Sequence, residues 1–484
     1  MSIPRPVGPP GEHFESFGVT PEVLRQVLAS ALSTGGDDCD LYFEHSASNS
    51  IVLTDGRVGK ASTRVDLGMG VRVRNGDQVG YAYSEDLSKN ALVAAARTAA
   101  GIANSGPGQA PPTLVATAIP NHYPVALQWT DTDMATRLRM VRAWEAATFA
   151  QDDRIQRVEC SLSDAAKVVM IVRPDGRLIE DWRPMTQAVV RCTAEGQSPD
   201  GETIRESNSY NVAARAGLEY YDKDRQTRLV ERAVQRTVFL LEAVSPKPGE
   251  MPVVLAAGPS AILLHEAIGH GMEADFNRKR TSIYNDKMGK RIACEDVTIV
   301  DDGTIPGSRG ALNVDDEGNE TENTVLVENG ILSSYIHDEI SARHYKTRPT
   351  GSGRRQSFRH TPIPRMRATM MLAGPRDPAE IIASVDKGLY CVSFANGQVN
   401  IGGGDFSFYM RQGYLIENGK LTQPVKDVNI IGNGPEALQQ IDLVGNDPLL
   451  DEGGWTCGKD GQSVPVSQGM PTVRVQSLVV GGVG

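Results

Sequence analysis

The segment Ser245–Pro252, with the sequence SPKPGEMP, divides the chain into two halves with different patterns. Its three prolines and one glycine disfavour helices and sheet interiors, and this composition is typical of a joint between domains. A chain of 484 residues also exceeds what one hydrophobic core usually organises. The sequence therefore predicts a flexible arm over residues 1–18, an amino-terminal domain over residues 19–245 and a carboxyl-terminal domain over residues 246–484.

The half before the joint mixes helical and strand patterns. Apolar residues recur at helical spacing from Pro21 to Leu32 and again from Leu229 to Val244. Residues 40–83 instead contain short strand-like segments joined by turn pairs such as Asp55-Gly56, which are typical of hairpins. We predict an antiparallel sheet with helices for this domain.

The half after the joint consists mostly of short strand patterns with glycine-rich turns between them. One helix is predicted to open near Pro259 and Ser260. The fold class is therefore predicted to be α+β, with two domains, of which the carboxyl-terminal one is strand-rich and carries this helix.

The charge and hydropathy patterns exclude some classes of protein. The formal net charge is −11 with a pI near 5.4, and no block of lysines and arginines is long enough to follow a phosphate backbone. No apolar run approaches the ~20 residues that cross a bilayer. The first residues also lack the basic and apolar regions of a signal peptide. We expect a soluble, cytoplasmic protein that binds neither nucleic acid nor membrane.

The six cysteines are scattered singly, without a Cys-x-x-Cys pair. This spacing argues against a disulfide framework and against a zinc knuckle. Most of these thiols are expected to be buried as small hydrophobic side chains.

A His-Glu pair followed by a second histidine, His265-Glu266-Ala-Ile-Gly-His270, lies on the predicted helix. The common zincin motif separates its histidines by four residues, or about 40° around an ideal helix, whereas five residues correspond to about 140°. The two imidazoles can share a metal only if the helix is widened, as in a π-type bulge, or broken after Gly269. Gly269 and Gly271 would ease such a distortion. On these residues alone, polar side chains at a helix end or interface are the favoured interpretation.

The segment HEAIGHGMEAD resembles the signature of the TldD/PmbA family of metallopeptidases, whose active members carry His-Glu-x-x-x-His. Four further blocks look like family blocks, in the same order along the chain: DCDLYFEHSASNSIVLTDGRV, GSGRRQSFRHTPIPRMRATMML, YLIENGKLTQPVKDVNIIGNGPEAL and GGWTCGKDGQSVPVSQGMPTVRV. The resemblance covers nearly the whole chain and points to the catalytic, TldD-like branch, because the motif is intact.

The resemblance implies that His265, His270 and Cys457 bind one Zn²⁺ per active chain. Three protein ligands leave one tetrahedral position open, as catalytic zinc requires, and a thiolate is a good zinc ligand. Glu266 would then act as the general base that takes a proton from the attacking water. A buried structural thiol is the alternative interpretation of Cys457.

The function implied by the resemblance is zinc-dependent hydrolysis of unfolded or leader-like peptides. The alternative is a non-enzymatic interaction protein that modulates a toxin or gyrase pathway, which would not require stoichiometric zinc. A zinc hydrolase that acts on a non-peptide amide is a third possibility. The resemblance also implies a dimer, either with a similar subunit that lacks the motif or with a second copy of the chain.

Three other polar groups have weaker functional interpretations, and the sequence does not identify the substrate-binding residues. The glycine-rich segment Gly402–Asp405 could let a substrate backbone approach closely or form a plain turn. The cationic cluster could orient a substrate carboxylate or anchor the site, but a solvated or interface-pairing loop is the favoured interpretation; it comprises Arg354, Arg355, Arg359 and His360. The acidic run Asp315–Glu320 is expected to be a solvated turn. His337 and His344 are given no role.

Overall fold

The amino-terminal half of the computed structural model builds one seven-stranded sheet that is flanked by helices. The structure describes residues 2–103, 106, 108 and 110–482, so Met1 of the predicted arm and residues 483–484 of the predicted carboxyl-terminal domain lie outside it. The strands are β1 (Asp38–Thr54), β2 (Arg57–Asn75), β3 (Gln78–Ser84), β4 (Val115–Ala116), β5 (Ile155–Val172), β6 (Arg177–Gln197) and β7 (Thr203–Ala214). The helices are α1 (Glu12–Glu15), α2 (Pro21–Ala31), α3 (Lys89–Ile102), α4 (Met134–Gln151) and α5 (Lys223–Glu242).

The order of strands in this sheet is β3-β2-β1-β5-β6-β4, with β7 also paired to β6. Every pairing except β4 with β6 is antiparallel, which confirms the predicted antiparallel sheet. The β1–β2 hairpin turns at Asp55 and Gly56, whose φ angles of 46° and 78° are those of the two-residue turn expected for Asp-Gly.

Helices α2 and α5 lie where the apolar periodicity predicted helices. Helix α2 buries Leu24, Val27 and Leu28 against the sheet. Helix α5 begins earlier than the periodicity indicated, because the Asp222 carboxylate accepts a hydrogen bond from the Arg225 backbone N–H at 2.7 Å and caps the first turn.

The predicted arm contacts the same sheet. Ile3 and Phe14 are buried in the core beneath α2, with exposed fractions of 5% and 0%. The flexibility of residues 1–18 and the domain boundary at residue 245 stay predictions.

The carboxyl-terminal half contains two larger sheets and two small hairpins. Its strands are β8 (Gly249–Leu255), β9 (Ile299–Asp302), β10 (Asn323–Glu328), β11 (Ile331–Leu332), β12 (Gly353–Arg354), β13 (Ile363–Pro364), β14 (Ala368–Met371), β15 (Lys387–Val399), β16 (Asp405–Glu417), β17 (Lys420–Val425), β18 (Val428–Asn433), β19 (Ile441–Val444), β20 (Leu449–Leu450), β21 (Thr456–Lys459), β22 (Gln462–Pro465), β23 (Ser467–Met470) and β24 (Val473–Gly482). Short helices, each of five to seven residues, are α6 (Ala274–Arg278), α7 (Glu339–Tyr345), α8 (Pro378–Ala383) and α9 (Gly434–Gln439).

One of the larger sheets closes on itself. Its order is β15-β8-β24-β18-β16-β17, and β15 also pairs with β16, so that β8, β24, β18, β16 and β15 form a ring. The second sheet has the order β11-β10-β9-β14-β23-β20. The strand-rich interpretation of this half is confirmed, but helices α6, α8 and α9 were not predicted, because elements of one to two turns carry little periodicity.

The two halves are joined by buried ion pairs. Arg72 on β2 contacts Asp40 at 2.6 Å and Glu317 at 2.7 Å, and Arg183 on β6 contacts Asp316 at 2.5 Å. The expectation of a solvated turn for Asp315–Glu320 is therefore wrong: Asp315, Asp316 and Glu317 are at most 3% exposed. Burial of Asp316 and Glu317 is possible because the amino-terminal sheet supplies their arginine partners. The Asp315 carboxylate instead accepts hydrogen bonds from the backbone N–H groups of Glu317, Asn319 and Gly353.

Among the described residues, every helix is too short or too polar to cross a bilayer.

Candidate metal centre

The chain leaves β8 and winds into a π-helix over Leu264–Gly269. The His270 backbone N–H donates to the His265 carbonyl, five residues back, and this bond widens the turn. A tight 3-10 turn over His270–Met272 follows. The two imidazole rings consequently lie next to each other in an edge-to-face arrangement, with centroids 5.1 Å apart and planes at 80°. The prediction of a widened helix is confirmed.

Gly269 serves this segment through close packing. Its φ and ψ of −58° and −49° are ordinary for a right-handed helix, so its conformational freedom is not used. A Cβ atom at this position would lie 2.0 Å from the Met366 sulfur. Glycine therefore allows the helix to press against the segment that carries Met366.

Cys457 reaches the helix from the β21–β22 hairpin. The hairpin turns at Asp460 and Gly461, with φ angles of 49° and 71°, as expected for an Asp-Gly turn. Alternation along β21 buries Cys457 and Lys459 on one face and leaves Thr456 and Gly458 exposed on the other. The strand thus directs the thiol and the ammonium group to the same side.

The structure brings together the three residues predicted as metal ligands. Donor atoms of His265, His270 and Cys457 all lie within 4.8 Å of one another, and the three side chains are 2–4% exposed. Nδ1 of His265 is buried without a hydrogen-bond partner among the described residues. Two imidazoles and a thiol form a set of ligand atoms that suits zinc. A buried imidazole nitrogen without a hydrogen-bond partner is also what a site that holds a cation would contain.

Electrostatics favours the thiolate form of Cys457. Burial alone would raise the pKa of this thiol, but the imidazoles of His265 and His270 lower it well below its usual value. Burial would lower the pKa of His270, whereas the Glu273 carboxylate and the Cys457 sulfur raise it well above its usual value. The thiolate is the form of cysteine that binds metals, and the two histidines favour this form without a bound cation.

Two residues that the sequence analysis missed hold the ligands in place. Glu273 accepts a hydrogen bond from Nδ1 of His270 at 3.0 Å, and Nζ of Lys459 lies 3.1 Å from the same carboxylate oxygen. Burial would raise the pKa of Glu273, but Lys459 and His270 lower it to about 2. Asp275 accepts a further bond from Lys459 at 2.7 Å. The spacing of Lys459 was a usable signal, since it follows Cys457 by two residues of a strand and therefore lies on the same face. Glu273 follows His270 by three residues, but its backbone is extended, so a helical pattern did not identify it.

Glu266 is the one partly exposed residue between residues 261 and 270. It directly follows His265 in the sequence, and its side chain keeps access to solvent while its neighbours are buried. This is the placement that a group exchanging protons with water requires.

The other groups singled out in the sequence lie away from the cluster or in structural roles. Gly402–Gly404 form a turn between β15 and β16, in which the Gly404 N–H donates to the Asn400 carbonyl at 2.5 Å. Arg355 is buried between the two halves and pairs with Asp40 at 3.4 Å. His337 is buried beside Tyr345, with its ring centroid 5.4 Å away.

We expect Glu273→Gln to weaken metal binding roughly 10- to 100-fold, the usual effect of removing a carboxylate that orients a ligating histidine. The substitution preserves size but removes the charge that fixes the His270 tautomer. Competition with a chromophoric chelator measures the affinity. Glu436→Gln, an exposed position on α9 beside the motif helix, is the matched control and should bind metal normally. Equal affinities for the two variants would contradict a positioning role for Glu273.

Comparison with known proteins gives concordant results. Three family models match in order: PmbA/TldA metallopeptidase domain 1 over residues 39–103, the central domain over residues 128–241 and the C-terminal domain over residues 248–482. A metalloprotease TldD homolog of Haemophilus influenzae is 38% identical over 92% of this chain and 93% of its own length. A metalloprotease TldD homolog of Buchnera aphidicola from Acyrthosiphon pisum is 36% identical, with 92% of both chains covered.

Solved structures share the fold at lower identity. A Bacteroides thetaiotaomicron protein, named as a candidate modulator of DNA gyrase, superposes with a TM-score of 0.75 at 20% identity, covering 96% of this chain and 100% of its own. TldE from Thermococcus kodakarensis gives a TM-score of 0.71 at 19% identity, covering 95% and 99%. At these identities the similarity concerns the fold alone.

Proposed function

The chain belongs to the PmbA/TldD family of metallopeptidases, and from this premise we propose that it hydrolyses unfolded peptides at a zinc ion held by His265, His270 and Cys457. The observation that carries the proposal is the convergence of two imidazoles and one thiol within 4.8 Å at a buried site. Zinc bound there would supply a Lewis acid that polarises the substrate carbonyl.

The residues of the chain perform the remaining tasks. Glu266 takes a proton from the attacking water and returns it to the leaving amine, because its carboxylate is the partly exposed acid next to the ligands. Glu273 and Lys459 keep the imidazole of His270 in one orientation. The low exposure of the three ligands excludes bulk water from the cluster and strengthens electrostatic interactions within it.

Extended peptides are the proposed substrate class. The β21–β22 hairpin that carries Cys457 has only two strands, so an extended chain can pair along its edge through main-chain hydrogen bonds. Such pairing depends little on side chains. It also requires a local backbone that is free of other hydrogen bonds, which folded domains rarely offer.

A homologous subunit that lacks the motif, or a second copy of this chain, is the proposed partner. The competing function, a non-enzymatic modulator, accounts less well for the site, because an interaction protein has no use for a buried thiolate between two histidines.

The test uses one polypeptide substrate in two forms, a stable folded domain and a destabilised variant of it, with the partner subunit present. We expect the destabilised form to be cleaved much faster. Removal of metal by a chelator should abolish cleavage, and added Zn²⁺ should restore it. Cleavage that survives complete metal removal would refute the metallopeptidase site, whereas equal rates on both forms would refute only the substrate class.

A further inference from the structure

A cavity of about 230 Å³ lies between the amino-terminal sheet and the outer face of the β21–β22 hairpin. Strands β5 and β6 form one wall, and Thr456 and Ser463 of the hairpin form another. Arg215, Arg309 and Arg354 also line it, and we call this cavity the arginine pocket. Since side chains alternate along β21, Thr456 faces the pocket from the side of the strand opposite to the Cys457 thiol.

Positive charge in the arginine pocket exceeds negative charge. Its lining contains six cationic side chains and one carboxylate, that of Asp316. Three of the cations have ion-pair partners: Lys167 with Glu44, Arg183 with Asp181 and Asp316, and Arg355 with Asp40. Arg215, Arg309 and Arg354 have no carboxylate within 4.0 Å in the part of the chain that the structure describes.

Arg215 is the most incompletely satisfied of the three. It is 5% exposed, and its Nε has no hydrogen-bond partner among the described residues. Its guanidinium group lies over the Tyr123 ring, 5.3 Å from the centroid. An aromatic face stabilises a cation but cannot accept its N–H bonds. A buried donor without an acceptor costs free energy, so the position calls for an external acceptor.

Arg309 and Arg354 hold the chain on both sides of Cys457. Nε of Arg309 donates to the Trp455 carbonyl at 2.9 Å, and Nη2 of Arg354 donates to the Pro465 carbonyl at 2.6 Å. Carbonyl oxygens carry only partial charge, so these bonds do not neutralise either cation. Nη1 of Arg354 also donates to the Met366 carbonyl, and both guanidinium groups line the same cavity, where an anion can pair with their positive charge.

The pKa values of these arginines reflect their burial and their mutual repulsion. Burial, followed by repulsion from Arg215, lowers the pKa of Arg309 to about 10 and that of Arg354 to about 9. Burial and the neighbouring Arg183 also lower the pKa of Arg215. Buried like charges are stabilised when an anion lies between them.

We propose that the arginine pocket binds an oxyanion group, with Arg215, Arg309 and Arg354 as its ligands. Carboxylate and phosphate share the planar or tripodal oxygens that guanidinium groups recognise, and 230 Å³ accommodates such a group with a few attached atoms. The anion has two sources: a carboxylate of the peptide substrate, which rests on the proposed function, or a small free oxyanion.

The first experiment tests the site without reference to catalysis. Thermal unfolding of the full chain is followed at increasing inorganic phosphate, with ionic strength held constant by NaCl. Binding to the folded state alone should raise the Tm of the wild-type protein by roughly 2 °C or more at saturating phosphate. Arg215→Met and Arg309→Met should each lose most of this shift. Arg232→Met, an exposed position on α5, is the matched control and should keep it.

The second experiment identifies the source of the anion. Binding of a fluorescent peptide with a free carboxyl terminus and of its carboxamide is compared on zinc-loaded Glu266→Gln protein, together with Asp-to-Asn changes in the peptide. A preference of about tenfold for a carboxylate, lost in Arg215→Met, would assign the pocket to the substrate. Equal binding of all peptides, with the phosphate shift intact, would assign it to a free oxyanion.

The outcomes separate the two proposals. Absence of any peptide binding by wild type and variants, with the phosphate shift intact, would refute the peptidase function but not the anion site. A phosphate shift that is absent in the wild-type protein, or equal in Arg215→Met, would overturn the anion site. So would a change of oligomeric state in Arg215→Met without a change in phosphate response, because the arginine would then serve the partner chain.

Discussion

Replacing Glu266 by alanine should leave metal binding unchanged and lower peptide turnover roughly 100- to 10,000-fold, the usual contribution of a positioned general base. The carboxylate is partly exposed and is not one of the three clustered donors, so its loss does not remove a ligand. Metal content by elemental analysis and initial rates on an unfolded substrate measure the two effects separately.

His265→Ala, His270→Ala and Cys457→Ala provide the contrast. Each removes one of three donors, so each should lose the metal and with it the activity. Near-normal turnover in Glu266→Ala would show that the proposed mechanism is wrong. Stoichiometric metal in Cys457→Ala would exclude the thiolate as a ligand and leave the buried structural thiol as its role.

Arg72→Met should destabilise the protein by about 3–5 kcal/mol, the cost of breaking a buried ion pair from one side. Arg72 is 1% exposed and pairs with Asp40 and Glu317, so its loss leaves two carboxylates buried with fewer partners. The midpoint of urea unfolding measures the change, with fluorescence and circular dichroism followed together to detect separate unfolding of the two halves.

Arg64→Met is the control for this substitution. Arg64 lies on the same strand, β2, but its side chain is 79% exposed. Its ion pair with Asp66 is long, at 3.7 Å. A change within about 0.5 kcal/mol is expected there. If the two variants unfold at the same urea concentration, the buried pairs do not hold the halves together.

Local patterns in the sequence predicted the local elements of the structure. Apolar spacing located α2, and the pairs Asp55-Gly56 and Asp460-Gly461 occupy hairpin turns, the first as predicted. The five-residue spacing of His265 and His270 predicted a helix that is widened or broken if both histidines bind one metal ion, because a regular helix directs them apart. The structure contains the widened form.

Contacts between segments that are distant in the chain could not be predicted from the sequence. Glu317 was misjudged as solvated because its partner Arg72 is 245 residues away, and no local pattern records that distance. Cys457 was identified through the family resemblance and not by spacing, since 187 residues separate it from His270. The arginine pocket could not be predicted for the same reason, because Arg215 and Arg354 lie close together only after the two halves pack.

The ring formed by β8, β24, β18, β16 and β15 bears on whether other strands can add to this sheet. An open sheet exposes a row of unpaired N–H and C=O groups, and another chain can add to that row. Here β15 pairs with both β8 and β16, and β18 pairs with both β16 and β24. If the substrates are the extended chains proposed above, they find no unpaired edge between neighbouring strands of this ring onto which they could add and grow into fibrils.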